Sequence, residues 1–116
     1  MMTATLYGIP NCDTVKKART WLADHDIAFT FHDYKKAGVD EAALDAWIAQ
    51  LGWEPLLNRA GTTFRKLPDA DKADIDTAKA RALMIAHPST IKRPVLVDGE
   101  RIEVGFKPER YAALFA

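Results

Sequence analysis

The stretch RPVLVDGERIEVGF, residues 93–106, constrains this chain more than any other. Two runs rich in β-formers flank Asp98-Gly99, a favoured two-residue turn, so the stretch reads as an antiparallel hairpin. KPERYAALFA follows and reads as a closing helix, with Pro108 at an early position where its missing N–H is harmless. A β-β-α ending needs a sheet to join, and the N-terminal end supplies one. TATLYG (3–8) alternates polar and apolar residues and stops at Gly8, which predicts a short strand. From Asp13 to His25 the residues Val15, Ala18, Trp21 and Leu22 recur at helical spacing. IAFTFHDY (27–34) alternates Phe29, Phe31 and Asp33 with β-formers between them, a second strand.

The middle of the chain is helical in pattern. YKKAGV reads as a loop, and Asp40 is an N-cap for a helix whose apolar face is Ala43, Leu44, Trp47, Ile48 and Leu51, ending at Gly52. Residues 53–75 predict short helical turns broken by Gly61 and Pro68. DTAKARALMIAHP (76–88) predicts a helix stopped before Pro88, with Ala78, Ala82, Ile85 and Ala86 on one side. The order β-α-β, helices, β-β-α fits an α/β thioredoxin-like sandwich with a four-stranded mixed sheet. Its core would be about residues 1–39 and 89–116 of a single domain, with a helical insertion over about 40–88.

Composition narrows the function classes. A chain of 116 residues can bury a core without disulfide or metal support. Sixteen basic and sixteen acidic residues cancel, so no global field draws it to nucleic acid or to a membrane. No apolar run approaches the roughly 18 residues that cross a bilayer. The N-terminus carries no basic segment followed by a long apolar stretch, so no signal peptide is expected. With one cysteine there is no internal disulfide, and the expected setting is reducing and cytoplasmic.

That cysteine, Cys12, lies in YGIPNCDTVKKA, at the strand-to-helix turn set by Pro10 and Asn11. A lone thiol more often serves as a small buried hydrophobe, but such a thiol usually sits inside an element, not in a turn. At or near a helix N-cap it faces unpaired backbone N–H groups and the positive end of the helix dipole, which favour the nucleophilic thiolate. Lys16 and Lys17 would add positive charge and Asp13 would oppose it. Position 15 of a Cys-x-x-Cys motif is Val15 here, so any redox cycle must be monothiol, with the second sulfur from an outside donor.

Arg93 precedes Pro94 at the start of a predicted strand, and such an X-Pro bond can be cis, exposing backbone that pairs with an extended substrate. Arg59 and Lys107 are the other basic candidates, each also readable as a solvated surface residue. Guanidinium suits a bidentate grip on a carboxylate or oxyanion, and lysine offers a point charge. His25, His32 and His87 have no metal-ligand spacing with the cysteine, so no metal is expected, and they read as helix-end and strand-surface residues. Asp40-Glu41 and the acidic cluster at 69–76 read as helix starts and loops. Trp21, Trp47 and Trp53 are expected in the core.

YGIPNCDTVKKA, LLNRAGTTFRKL, HPSTIKRPVLV and VGFKPERY, in this order, resemble the arsenate reductase-related (ArsC/Spx) family, and its YffB-like branch in particular. The resemblance covers essentially the whole chain and implies the same thioredoxin-like fold with a helical insertion. In the arsenate reductases linked to glutathione and glutaredoxin, the cysteine of a P-x-C-x-T motif attacks arsenate, and Pro10, Cys12 and Thr14 match that motif. Their oxyanion-binding arginines correspond to Arg59 and Arg93. The third position holds Lys107 where they have arginine, and Gly8 stands where they have histidine.

The resemblance therefore implies first a glutathione-dependent monothiol reductase acting through Cys12 and a mixed disulfide, with no bound cofactor and glutathione as co-substrate. Arg93, Arg59 and Lys107 would hold the anionic substrate or a glutathione carboxylate. Thr14 would bond the sulfur, Asn11 would shape the turn, and the backbone beside Pro94 would align the peptide. The recycling partner would be glutathione or a glutaredoxin-type thiol donor. Two alternatives follow from the same family: arsenate reduction through a thiol–arsenate adduct, and a non-catalytic Spx-like regulator that binds the RNA polymerase α-subunit.

Overall fold

The computed structural model describes residues 3–115. Within them the chain divides into two compact units, residues 3–37 with 93–115, and residues 38–92.

The first unit is built on a four-stranded sheet of β1 (Ala4–Gly8), β2 (Phe29–Asp33), β3 (Val95–Asp98) and β4 (Arg101–Val104), in the order β2-β1-β3-β4. β1 pairs parallel with β2 and antiparallel with β3, which pairs antiparallel with β4. This is the mixed, thioredoxin-like sheet expected from the sequence. Alternation along β1 sends Ala4, Leu6 and Gly8 to one face. There Ala4 and Leu6 join Leu96, Ala18 and Leu22 of α1 (Asp13–Asp24) and a fully buried Tyr111 in one apolar cluster. Tyr7 points to the opposite face, where its ring meets His32 at 5.0 Å, its cross-strand partner.

Several boundaries differ from expectation for local reasons. β2 begins at Phe29, not Ile27, because the Ile27 N–H is taken by the Leu22 carbonyl, 3.0 Å, as the chain leaves α1. YKKAGV is not all loop. The Asp33 carboxylate accepts the Lys35 N–H at 2.8 Å, and a short helix α2 (Tyr34–Ala37) follows. In the hairpin Asp98 pairs with Arg101, so the two turn residues are Gly99 and Glu100. Gly99 has φ of +62° and Glu100 has no positive φ, which suits a type II′ turn with glycine first. The closing helix is placed as its sequence predicts, from Pro108 to Leu114.

The second unit holds α3 (Glu41–Leu51), α4 (Thr62–Arg65), α5 (Asp69–Lys72), α6 (Thr77–Ala86) and a single 3-10 turn at Pro88–Thr90. Asp40 and Asp76 are side-chain N-caps, accepting from Ala43 N–H at 3.1 Å and Lys79 N–H at 2.8 Å. Gly61 and Pro68, expected as breaks, sit at the N-caps of α4 and α5 and so begin those helices. The buried face of α6 is Ala80, Leu83 and Met84. The expected face fails: Ala78, Ala82 and Ala86 are exposed and Ile85 is half-buried. An alanine-rich helix carries no strong periodicity, and the large side chains decided which face is buried. Of the three tryptophans expected in the core only Trp47 is buried, while Trp21 and Trp53 are half-covered.

Among the described residues, no helix is long and apolar enough to cross a membrane.

Candidate active site

β1 ends at Gly8, and Ile9-Pro10-Asn11 carries the chain to Cys12, which is the N-cap of α1 with extended backbone (φ −100°, ψ 127°). The Cys12 carbonyl accepts the first helical bond, from Lys16 N–H at 2.9 Å. The sulfur faces the N–H groups of Val15 and Thr14 without closing a regular cap bond, and it receives a hydrogen bond and positive charge from the Arg93 guanidinium. Partial burial pushes the thiol up. The two N–H groups and Arg93 pull it down by more, so Cys12 lies below the ordinary thiol range. The cationic help expected from Lys16 and Lys17, and the opposition expected from Asp13, do not enter this balance. All three side chains are exposed, and the positive charge at the sulfur is that of Arg93.

The sheet register explains why Arg93 arrives there. Gly8 is opposite Asp33 at the end of the parallel pair, and Tyr7 is opposite Val95 at the start of β3. Val95 also pairs with Val104 at the end of β4. The Cys12 turn, Tyr34, Arg93 and Lys107 therefore all leave the sheet at one end. The Arg93–Pro94 peptide bond is cis. Pro94 is buried, and its carbonyl accepts Gly105 N–H at 2.8 Å.

The other expected residues take different places. Thr14 is half-buried and reaches the sulfur through its backbone N–H. Asn11 is exposed in the turn. Lys107 is exposed and is the N-cap of α7 (Pro108–Leu114), its carbonyl accepting from Arg110 and Tyr111 N–H. Arg59 belongs to the helical unit. There its guanidinium lies 5.6 Å from the Trp53 ring centroid, a cation–π arrangement that orients the head group. The Arg59 loop is anchored by two backbone bonds of 2.7 Å, Asn58 N–H to Thr90 and Lys92 N–H to Leu56.

One residue escaped the sequence reading. Tyr34 is only 4% exposed, stacks on Tyr7 at 6.5 Å, and has a hydroxyl with no hydrogen-bond partner among the described residues. Burial and the neighbouring Tyr7 push its pKa up, so the phenol stays protonated, and the Arg93 charge opposes them. No local signal marks it, since a tyrosine after a strand is commonplace. Along α1 runs an open groove of about 520 Å³ lined by Lys16, Arg19, Thr20, Ala23 and Phe29. A second of about 340 Å³ includes Lys16, Lys17 and Phe106. Among the described residues no group of three or more His, Cys, Asp or Glu is placed to hold a metal ion.

Residues 7–114 match the ArsC family, a span that holds every residue of this site. The chain belongs to the ArsC family. This family member is similar in structure to the YffB (PA3664) protein, with a TM-score of 0.95 and 61% identity over 98% of this chain and 100% of the other. It is also similar to an arsenate reductase (ArsC) related protein from Brucella melitensis, with a TM-score of 0.77 and 58% identity over 98% and 95% of the two chains. In sequence it is 29% identical to the global transcriptional regulator Spx of Streptococcus mutans, over 94% of this chain and 80% of that protein. These likenesses assign the fold and the family, and they leave the reaction to be argued from the site.

Proposed function

We propose that this ArsC-family protein is a glutathione-dependent monothiol reductase. The observation that carries the reading is the Cys12 sulfur at a helix N-cap, facing two backbone N–H groups and the Arg93 guanidinium. Cys12 thiolate attacks one sulfur of a substrate disulfide. A Cys12–S–S–R bond forms, the substrate S–S bond breaks, and the other sulfur leaves as thiolate. Glutathione thiolate then attacks the mixed disulfide, releasing Cys12 thiolate and carrying R away as a disulfide with glutathione. A second glutathione thiolate attacks that disulfide, forming glutathione disulfide and freeing R as thiolate, so two glutathiones supply the two electrons and Cys12 is unchanged at the end.

Arg93 holds the thiolate and a carboxylate of the incoming peptide. Lys107, at the same end of the sheet, adds a point charge, and Lys16 borders both grooves where a charged tripeptide can lie. Arg59 takes its role toward the anion from the family resemblance alone. The test is reduction of a glutathionylated peptide by glutathione with and without the protein. Catalysis lost in Cys12→Ser supports the reading, and full activity in that variant sinks it.

Arsenate reduction is the weaker enzymatic reading, because Lys107 replaces a planar fork with a point charge. Arsenate-dependent oxidation of glutathione and glutaredoxin would revive it. The Spx relative favours a third reading, binding of the RNA polymerase α-subunit without catalysis. Val15 leaves no Cys-x-x-Cys switch for it to use. Stoichiometric polymerase binding that Cys12→Ser leaves intact would establish that role instead.

A further inference from the structure

We propose that Tyr34 is a positioning residue for Cys12, its phenol oxygen being the acceptor that Arg93 takes up whenever the sulfur carries no negative charge. The sheet places the three residues together. Tyr34 directly follows Asp33, the last residue paired across from Gly8, and Arg93 lies two residues before Val95, the partner of Tyr7. The Tyr34 ring is fixed between Tyr7 at 6.5 Å and His32 at 5.7 Å. Its hydroxyl is buried and has no hydrogen-bond partner among the described residues. Buried hydroxyls are nearly always satisfied, so one that is not points to a partner engaged in another state of the site.

Arg93 is suited to be that partner. Its charge is felt by both the Cys12 sulfur and the phenol. A guanidinium carries five N–H donors in a rigid fork, and one sulfur cannot take them all. With Cys12 as thiolate, the sulfur is the stronger attraction. With Cys12 protonated, or bonded in a mixed disulfide, that charge is gone and the neutral phenol oxygen at the same end of the sheet becomes the better seat. Burial keeps the phenol protonated, so it serves as a neutral acceptor and never competes as an anion. The ring's other polar neighbours are Tyr7 and His32, and the carboxylate of the preceding Asp33 is engaged with Lys35 N–H. The exposed Lys35, Lys36 and Lys107 lie toward solvent.

The proposal shares with the reductase reading only the pairing of Arg93 with Cys12. The experiment reads the thiol and not turnover, so the two can fail separately. Cys12 alkylation by iodoacetamide is followed against pH in the wild type, Tyr34→Phe, Arg93→Ala and the double variant. Loss of the phenol oxygen removes support from the uncharged forms of Cys12 and leaves the thiolate untouched. Below the midpoint, Tyr34→Phe should therefore react about threefold faster, the size of one modest hydrogen bond. In the Arg93→Ala background the same change should have no effect.

The mixed disulfide formed with glutathione disulfide should be correspondingly less populated in Tyr34→Phe, and its melting temperature should equal or exceed the wild type's. An unchanged or slower profile, or equal acceleration without Arg93, overturns the proposal. So does a lowered melting temperature, which would give the hydroxyl a structural partner.

Discussion

Gly8 and Val15 meet with no room for a further carbon: a β-carbon on Gly8 would lie 2.8 Å from Val15 Cγ2. This contact sets how closely the start of α1 approaches the end of β1, and so where Cys12 is held. Val15 is fully buried and, being β-branched, has little rotamer freedom in a helix with which to yield. Gly8→Ala should destabilise the protein by about 1–3 kcal/mol through overpacking. Val15→Ala alone costs stability by leaving a cavity, but adding it to Gly8→Ala should recover part of the loss. Urea unfolding of the four-member cycle checks this, and strictly additive effects would show that the two side chains do not compete for space.

The second prediction concerns the thiol. Because Arg93 and the N–H groups of Val15 and Thr14 favour the thiolate, Cys12 should alkylate at pH values where an ordinary thiol is silent. Arg93→Ala should move the midpoint upward, while Lys16→Gln and Lys17→Gln should leave it in place. A midpoint that follows the lysines and not Arg93 would contradict the geometry.

Stability should follow pH in two opposite ways. Cys12 is depressed in the fold, so it contributes stability fully above its unfolded value of about 8.5, and this contribution is lost as pH falls through the folded midpoint. Wild type minus Cys12→Ser should therefore become more favourable as pH rises through that window. Tyr34 and Tyr111 are raised by burial, so what they contribute is present below about 10 and lost as pH climbs above it. Phenolate absorbance of these two rings should appear together with unfolding and not before it.

In the helical unit, Asp40→Ala and Asp76→Ala each remove a side-chain acceptor from a helix start. Each should cost about 1 kcal/mol by denaturant titration. Asparagine at either position should retain most of that stability, because the cap needs an oxygen and not a full charge.

Trp53→Ala should free the exposed Arg59 head group, with a loss of about 0.5–1 kcal/mol from this pair. Trp53→Phe should retain part of it. The measurement is a double-mutant cycle with Arg59→Ala.

What was legible in the sequence was whatever a short window of residues decides. The alternation in TATLYG, the periodicity from Val15 to Leu22, the aspartate caps at Asp40 and Asp76 and the early Pro108 act over a few residues, and each appears where the chain pattern places it. The position of Cys12 at a helix N-cap is of this kind too. The buried side of α6 was not legible. Its alanines fit either face, and only packing of Leu83 and Met84 selects one.

The charge beside the thiol was decided by tertiary structure in the same way. Lys16 and Lys17 are near Cys12 in sequence, yet their side chains run out to water. Arg93 is 81 positions further along (93 minus 12), yet strand register sets it on the sulfur. The charge of that same arginine also reaches the Tyr34 phenol. Sequence alone determined most of the elements, the single sulfur and the absence of a Cys-x-x-Cys partner. Only the folded sheet determined which cation that sulfur meets, because such an encounter depends on register between strands far apart in the chain.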